Sequence, residues 1–213
     1  VDSSAEVSLL NDLIDVRSGT AVDSYAEVAA LASIVTRFIG EAAGVASSPA
    51  LTPADFVALG ISGVTAENLA EVLIAIRASA DDGSEIDTLT EVRTLVDTAV
   101  ALSRQNAIDT ISRYDGTSAT TTPTLADFAN AGVTGVTNGN LVSINSAFAV
   151  IGIANSDATE EIQGLVSGYV TILLGADGQR DSDVSLSSSD YVAMNLARVD
   201  TSGKADLLNQ IFD

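Results

Sequence analysis

Residues 123–148 read PTLADFANAGVTGVTNGNLVSINSAF, and residues 51–76 read LTPADFVALGISGVTAENLAEVLIAI. At a fixed offset of 72, Asp55 and Phe56 fall on Asp127 and Phe128, and Gly60 falls on Gly132. Gly63-Val64-Thr65 falls on Gly135-Val136-Thr137, and Asn68-Leu69 on Asn140-Leu141. No gap is needed, so the chain contains an internal repeat. A third, more divergent copy starts at LSSSDYVAMNLARV, where Leu186, Ser187, Asp190 and Tyr191 match Leu51, Thr52, Asp55 and Phe56. Asn195 stands there at the glycine position, and the later part does not align cleanly.

Each copy carries the local chemistry of short helices. Thr52, Thr124 and Ser187 stand three residues before an aspartate, the spacing of a reciprocal N-terminal cap. Pro53 fits the first helical position, where a missing N–H costs nothing. Gly60 and Gly132 are each followed by an apolar residue, Ile61 or Val133, the pattern of a Schellman stop. Thr65 and Thr137 then open a third helix with stripes at Leu69, Val72, Leu73 and Ile76, and at Leu141, Ile144, Ala147, Phe148 and Ile151. Phe56, Phe128 and Tyr191 are expected to plug the core.

A long helix precedes each copy, marked by Glu-(Val/Ile)-x-x-Leu at Glu27–Leu31, Glu91–Leu95 and Glu161–Leu165. The same pattern occurs at Glu6–Leu10, so residues 1–20 read as an extra short helix, either a cap or the closing helix of a preceding module. From Leu89 to about Tyr114, apolar residues recur every three or four positions, with Glu91 early and Arg104 and Arg113 late, as the helix dipole favours. The expected fold is therefore all-α, as tandem three-helix-bundle modules of about 70 residues. The expected divisions are 1–84 (module 1 with the extra N-terminal helix), 85–157 (module 2) and 158–213 (divergent module 3).

Composition narrows the function classes. Apolar residues make up 46% of the chain but aromatics only 4%, with no Trp, so small aliphatic side chains must fill the core. A formal charge of −20 argues against nucleic acid as a partner and against anionic membrane surfaces. The charge-free stretch between Asp127 and Asp157 contains four glycines and five asparagines, so no membrane insertion is expected. Cysteine is absent, which removes disulfides and thiolate chemistry, and so is histidine, the commonest general base and zinc ligand. No catalytic residue and no enzyme activity is expected. The chain starts at Val1 and reads as part of a longer protein.

Three stretches invite a chemical reading. Asp177, Asp181 and Asp183, with Asp190 beyond, suggest a calcium loop. With Asp190 at the twelfth position, Gln179 takes the first and Val184 replaces the turn glycine, so a structural loop is the better reading. Asp81 and Asp82 offer less. The serines from Ser185 to Ser189 have no histidine or lysine to activate them and read as a loop and cap. Thr120-Thr121-Thr122 occurs once and lacks the regular ladder of an ice-binding face. No cofactor is expected apart from that calcium candidate.

The string PTLADFANAGVTGVTNGNLVSIN resembles helical repeats of very large bacterial surface and adhesin-like proteins, in which P-T-x-x-D-(F/Y)-x-x-x-G-(V/I)-x-G-V-(S/T)-x-x-N-L recurs. The likeness covers 51–76 and 123–148 well and 186–199 poorly. The layout is also similar to the three-helix albumin-binding-type modules of surface proteins, in architecture alone. The resemblance implies display outside a bacterial cell, secreted or on the surface, as a tandem spacer or adhesion module, with another protein or a cell-surface component as partner. The competing reading is a soluble ligand-binding or enzymatic helical domain whose repeats share one core.

Overall fold

In a computed structural model, the described residues are 1–79, 85–150, 156–175, 185–194 and 196–212. Among them every regular element is helical. In chain order these are α1 (Ser4–Asp15), α2 (Tyr25–Ala42), α3 (Pro53–Ala58), α4 (Leu69–Arg77) and α5 (Leu89–Ser112). They continue with α6 (Leu125–Asn130), α7 (Leu141–Phe148), α8 (Thr159–Gly175), α9 (Ser188–Ala193) and α10 (Ser202–Phe212). A short 3₁₀ turn, Gly19–Ala21, follows α1. The all-α expectation holds.

The repeated residues act as their chemistry dictates. The carboxylates of Asp55, Asp127 and Asp190 accept the backbone N–H of Thr52, Thr124 and Ser187 at 2.8, 2.7 and 2.8 Å. In the second and third copies the hydroxyl returns the favour, accepting the aspartate N–H at 3.3 Å. Gly60 and Gly132 adopt φ of 73° and 80°, a region open to glycine. Ile61 N–H then reaches Phe56 O at 2.9 Å and Val133 N–H reaches Phe128 O at 2.8 Å, the long bond of a Schellman stop. In the third copy Leu196 N–H makes the same bond to Tyr191 O at 2.9 Å. The three copies thus share this backbone bond.

The third helix starts one turn later than its threonine. Thr65 N–H donates to Asn68 Oδ1 at 2.8 Å, and Asn68 Nδ2 donates to Gly63 O at 2.9 Å. Asn140 repeats both bonds with Thr137 and Gly135. The asparagine therefore fastens the glycine turn to the start of α4 or α7.

Packing forms two compact units, Val1–Ser103 and Arg104–Asp213. The boundaries expected at 84/85 and 157/158 lie inside these units. The first core takes Leu9 and Leu13 from α1, Val35 and Phe38 from α2, Phe56 from α3, and Val72 and Ile76 from α4. Leu89, Val92, Val96 and Ala99, the first half of α5, complete it. The second core takes Ala107, Ile108 and Ile111 from the other half of α5, with Phe128, Ile144, Phe148, Ile162, Leu165 and Tyr191. One apolar stripe on α5 therefore serves two cores. Copies two and three contribute to a single core, whereas copy one has its own.

Aromatic residues sit where the sequence places them. Phe56, Phe128 and Tyr191 are all buried. Phe38 meets Phe56 edge-on with ring centroids 6.0 Å apart, and Phe128 meets Phe148 at 5.7 Å. No described helix is long and apolar enough to cross a membrane.

Candidate functional site

The calcium candidates Asp177, Asp181 and Asp183 lie outside the described residues, as do Asp81 and Asp82. Asp190 is described, and its carboxylate is engaged in the α9 cap, accepting from Ser187 N at 2.8 Å and Ser187 Oγ at 2.6 Å. Those bonds hold its pKa below the usual aspartate value. Ser187 is therefore a capping hydroxyl, and its neighbour Ser189 shares a hydrogen bond with it at 2.7 Å. Among the described residues no group of three or more His, Cys, Asp or Glu could hold a metal ion.

The threonine-rich loop is organised by Asp115. Its Oδ1 accepts from Thr117 N at 2.9 Å and from the hydroxyls of Thr117 and Thr120, each at 2.7 Å. The Thr120 and Thr117 hydroxyls, followed by the Thr117 amide, lower the Asp115 pKa to about 2. Beside this loop lies an open polar groove formed by Asn106, Asp109 and Thr110 of α5, by Arg113 just beyond it and by Ala119–Thr121.

Three charged clusters escaped the sequence reading. Glu41, near the end of α2, is 2% exposed. It accepts from Ser47 N at 2.9 Å, Ser47 Oγ at 2.6 Å and Arg77 Nε at 2.8 Å. Burial alone would raise its pKa, but the Ser47 bonds and the Arg77 guanidinium outweigh burial and leave it lowered. The cluster ties the loop after α2 to the end of α4. Glu6 is also buried. Burial again pushes upward, yet the Asp2 and Ser3 amides, with the Thr36 and Ser3 hydroxyls, bring its pKa down to about 2. The third cluster is Arg37 with Asp55, paired at 2.5 Å. Arg37 Nη1 also reaches the carbonyls of Pro49 and Ala50. That ties α2 to the strand of loop entering α3, and the Arg37 side chain lowers the Asp55 pKa.

In the second and third copies an asparagine performs the corresponding loop tether. Asn145 Nδ2 donates to Pro123 O at 2.8 Å, and Asn209 Nδ2 donates to Leu186 O at 2.9 Å. Asn209 Oδ1 also accepts the Tyr191 hydroxyl at 2.6 Å. Each of these side chains makes at least one such bond, while Arg37 Nε and Asn145 Oδ1 are buried without a hydrogen-bond partner among the described residues.

One feature of the second unit is left without a structural use. A cavity of about 240 Å³ opens between α7, α8 and the end of α9. Ile144, Phe148, Tyr169, Ile172, Met194 and Leu196 line it, and among the described residues no charged side chain does. Ser146, also on its wall, has its hydroxyl occupied by Ser143 O at 2.7 Å.

Compared with protein-family models, with curated proteins and with solved structures, the chain matches none.

Proposed function

We propose that this chain is a non-catalytic structural and interaction segment of a larger secreted or cell-surface bacterial protein, serving there as a tandem spacer or adhesion module. Its partner is another protein or a cell-surface component. One observation carries the reading: the polar residues that recur from copy to copy are engaged in building helices. Asp55, Asp127 and Asp190 cap, and Asn68 and Asn140 fasten turns. Repetition has preserved a way of assembling helices rather than a reacting group. The formal charge of −20 supports the same reading, since like charge keeps neighbouring copies of a displayed protein apart.

Antibodies raised against the purified chain test the location on which this reading depends. They are expected to label intact, unpermeabilised cells of the source bacterium, and brief external protease should remove the signal. Labelling that appears only after lysis would overturn the reading.

The ligand-binding alternative is favoured by one observation, the apolar cavity in the second unit.

A further inference from the structure

We infer that the cavity between α7, α8 and α9 is a binding site for a small, neutral, mostly hydrocarbon molecule of about the size of an alkylbenzene. This inference stands independently of the surface reading.

Aligned on Glu27-Val28-x-x-Leu31 and Glu161-Ile162-x-x-Leu165, α8 is smaller than α2 at two inward positions and larger at a third, where Tyr169 stands for Val35. Where α2 has Ile34, α8 has Gly168, and where α2 has Phe38, α8 has Ile172. The surrounding positions keep their apolar character. The helix before each long helix supplies Leu9 and Leu13 in one case, Ile144 and Phe148 in the other. The end of the short helix supplies Leu59 and Ile61, or Met194 and Leu196. In the first unit, Leu9, Leu13, Ile34, Phe38, Leu59 and Ile61 are all buried in one core. In the second unit the loss from Ile34 to Gly168 and from Phe38 to Ile172 exceeds what Tyr169 adds, and a cavity lined by Tyr169, Ile172 and Met194 stands there.

Met194 refills part of the loss. A Cβ on residue 168 would stand 2.6 Å from its Sδ, so the thioether occupies the space that Gly168 leaves. Methionine is unbranched and adapts its shape to what lies beside it. Leu196 marks the mouth. It is 43% exposed, whereas Ile61 and Val133, which make the same backbone bond in the other copies, are 3% and 5% exposed. The site thus has a closed apolar floor, one adaptable wall and an open rim.

Lining and volume define the occupant. A charged molecule would lose hydration against these walls with no counter-charge to offset it. The chain's net charge of −20 further disfavours an anion such as a fatty acid. An apolar cavity of about 150 Å³ holds benzene in another protein, so about 240 Å³ suits a substituted ring or branched chain of roughly ten heavy atoms.

The full chain carries its own reporter, because Met194 is the only methionine in 213 residues. With ¹³C-methyl methionine incorporated, titration with p-xylene and with isobutylbenzene is expected to move the single methyl resonance saturably, at one site per chain. Ile172→Phe restores the bulk found on α2 and should weaken binding at least tenfold. Leu196→Trp, which fills the rim without entering the floor, should do the same and serves if Ile172→Phe does not fold. Ile74→Phe, on an exposed face of α4, should leave binding unchanged. A shift that never saturates, or a dissociation constant that neither cavity variant changes, would overturn the inference. So would a methyl resonance that moves on simple dilution, since the occupant would then be a second copy of the chain.

Discussion

Glu41 shows how a single residue connects distant segments. Its carboxylate gathers Ser47 and Arg77, with the Ser47 hydroxyl at 2.6 Å and Arg77 Nη2 at 2.7 Å. Because burial opposes ionisation and the partners favour it, the net lowering means the charged form stabilises the fold. Glu6 behaves alike, with its pKa near 2. For both, the folded pKa lies below the unfolded one. Their contribution is therefore complete above the ordinary glutamate range and is lost as pH falls through the lowered folded pKa, which for Glu6 is about 2. Neutralising the chain's many exposed acids relieves repulsion over the same range, so a difference experiment is required. Glu41→Gln should destabilise the chain by on the order of 2 kcal/mol at pH 7. The gap between its melting temperature and that of the wild type should narrow as the pH falls below the ordinary glutamate range. A gap that stays constant with pH would show that the charge of Glu41 is not what matters. Sequence reading found the caps, because a cap lies within three or four residues of its partner. It did not find Glu41, whose Arg77 partner is 36 residues away.

At the scale of elements, the long helix is the informative unit. Periodicity shows that α5 carries an apolar stripe, and the stripe runs where expected. It does not show that Leu89–Ala99 and Ala107–Ile111 belong to different cores, because a stripe has the same period whatever it faces. For that reason the sequence places a module boundary at 84/85, ahead of α5, while the compact units divide within it. A fragment of residues 85–157 would leave Leu89, Val92, Val96 and Ala99 without their partners in α1 to α4. It would also lack all of α8, which supplies Leu165 and Val166 to the second core. Such a fragment is expected to be partly helical and to melt without a cooperative transition. A fragment of residues 1–112, which keeps α5 whole and the first core complete, should melt cooperatively. Circular dichroism against temperature distinguishes them, and a sharp transition for 85–157 would contradict this assignment of α5. The cavity has its own sequence signal, the change from Ile34 and Phe38 to Gly168 and Ile172. That signal emerges only once the long helices are aligned with one another, and the short-helix motif had supplied the alignment instead.

For the whole molecule, tandem copies give two cores from three repeats, since the second and third copies draw on the same interior. A spacer or adhesion segment would then yield under load in units larger than a single repeat. The central claim is that these repeats form separately stable helical units in a displayed protein. Pulling on the full chain between handles in an optical trap tests it most directly. The account predicts two unfolding events, each releasing roughly 30 nm of chain, with both units refolding when the force is lowered. A single event releasing the whole length at once would mean that all three copies share one core, and it would contradict the account.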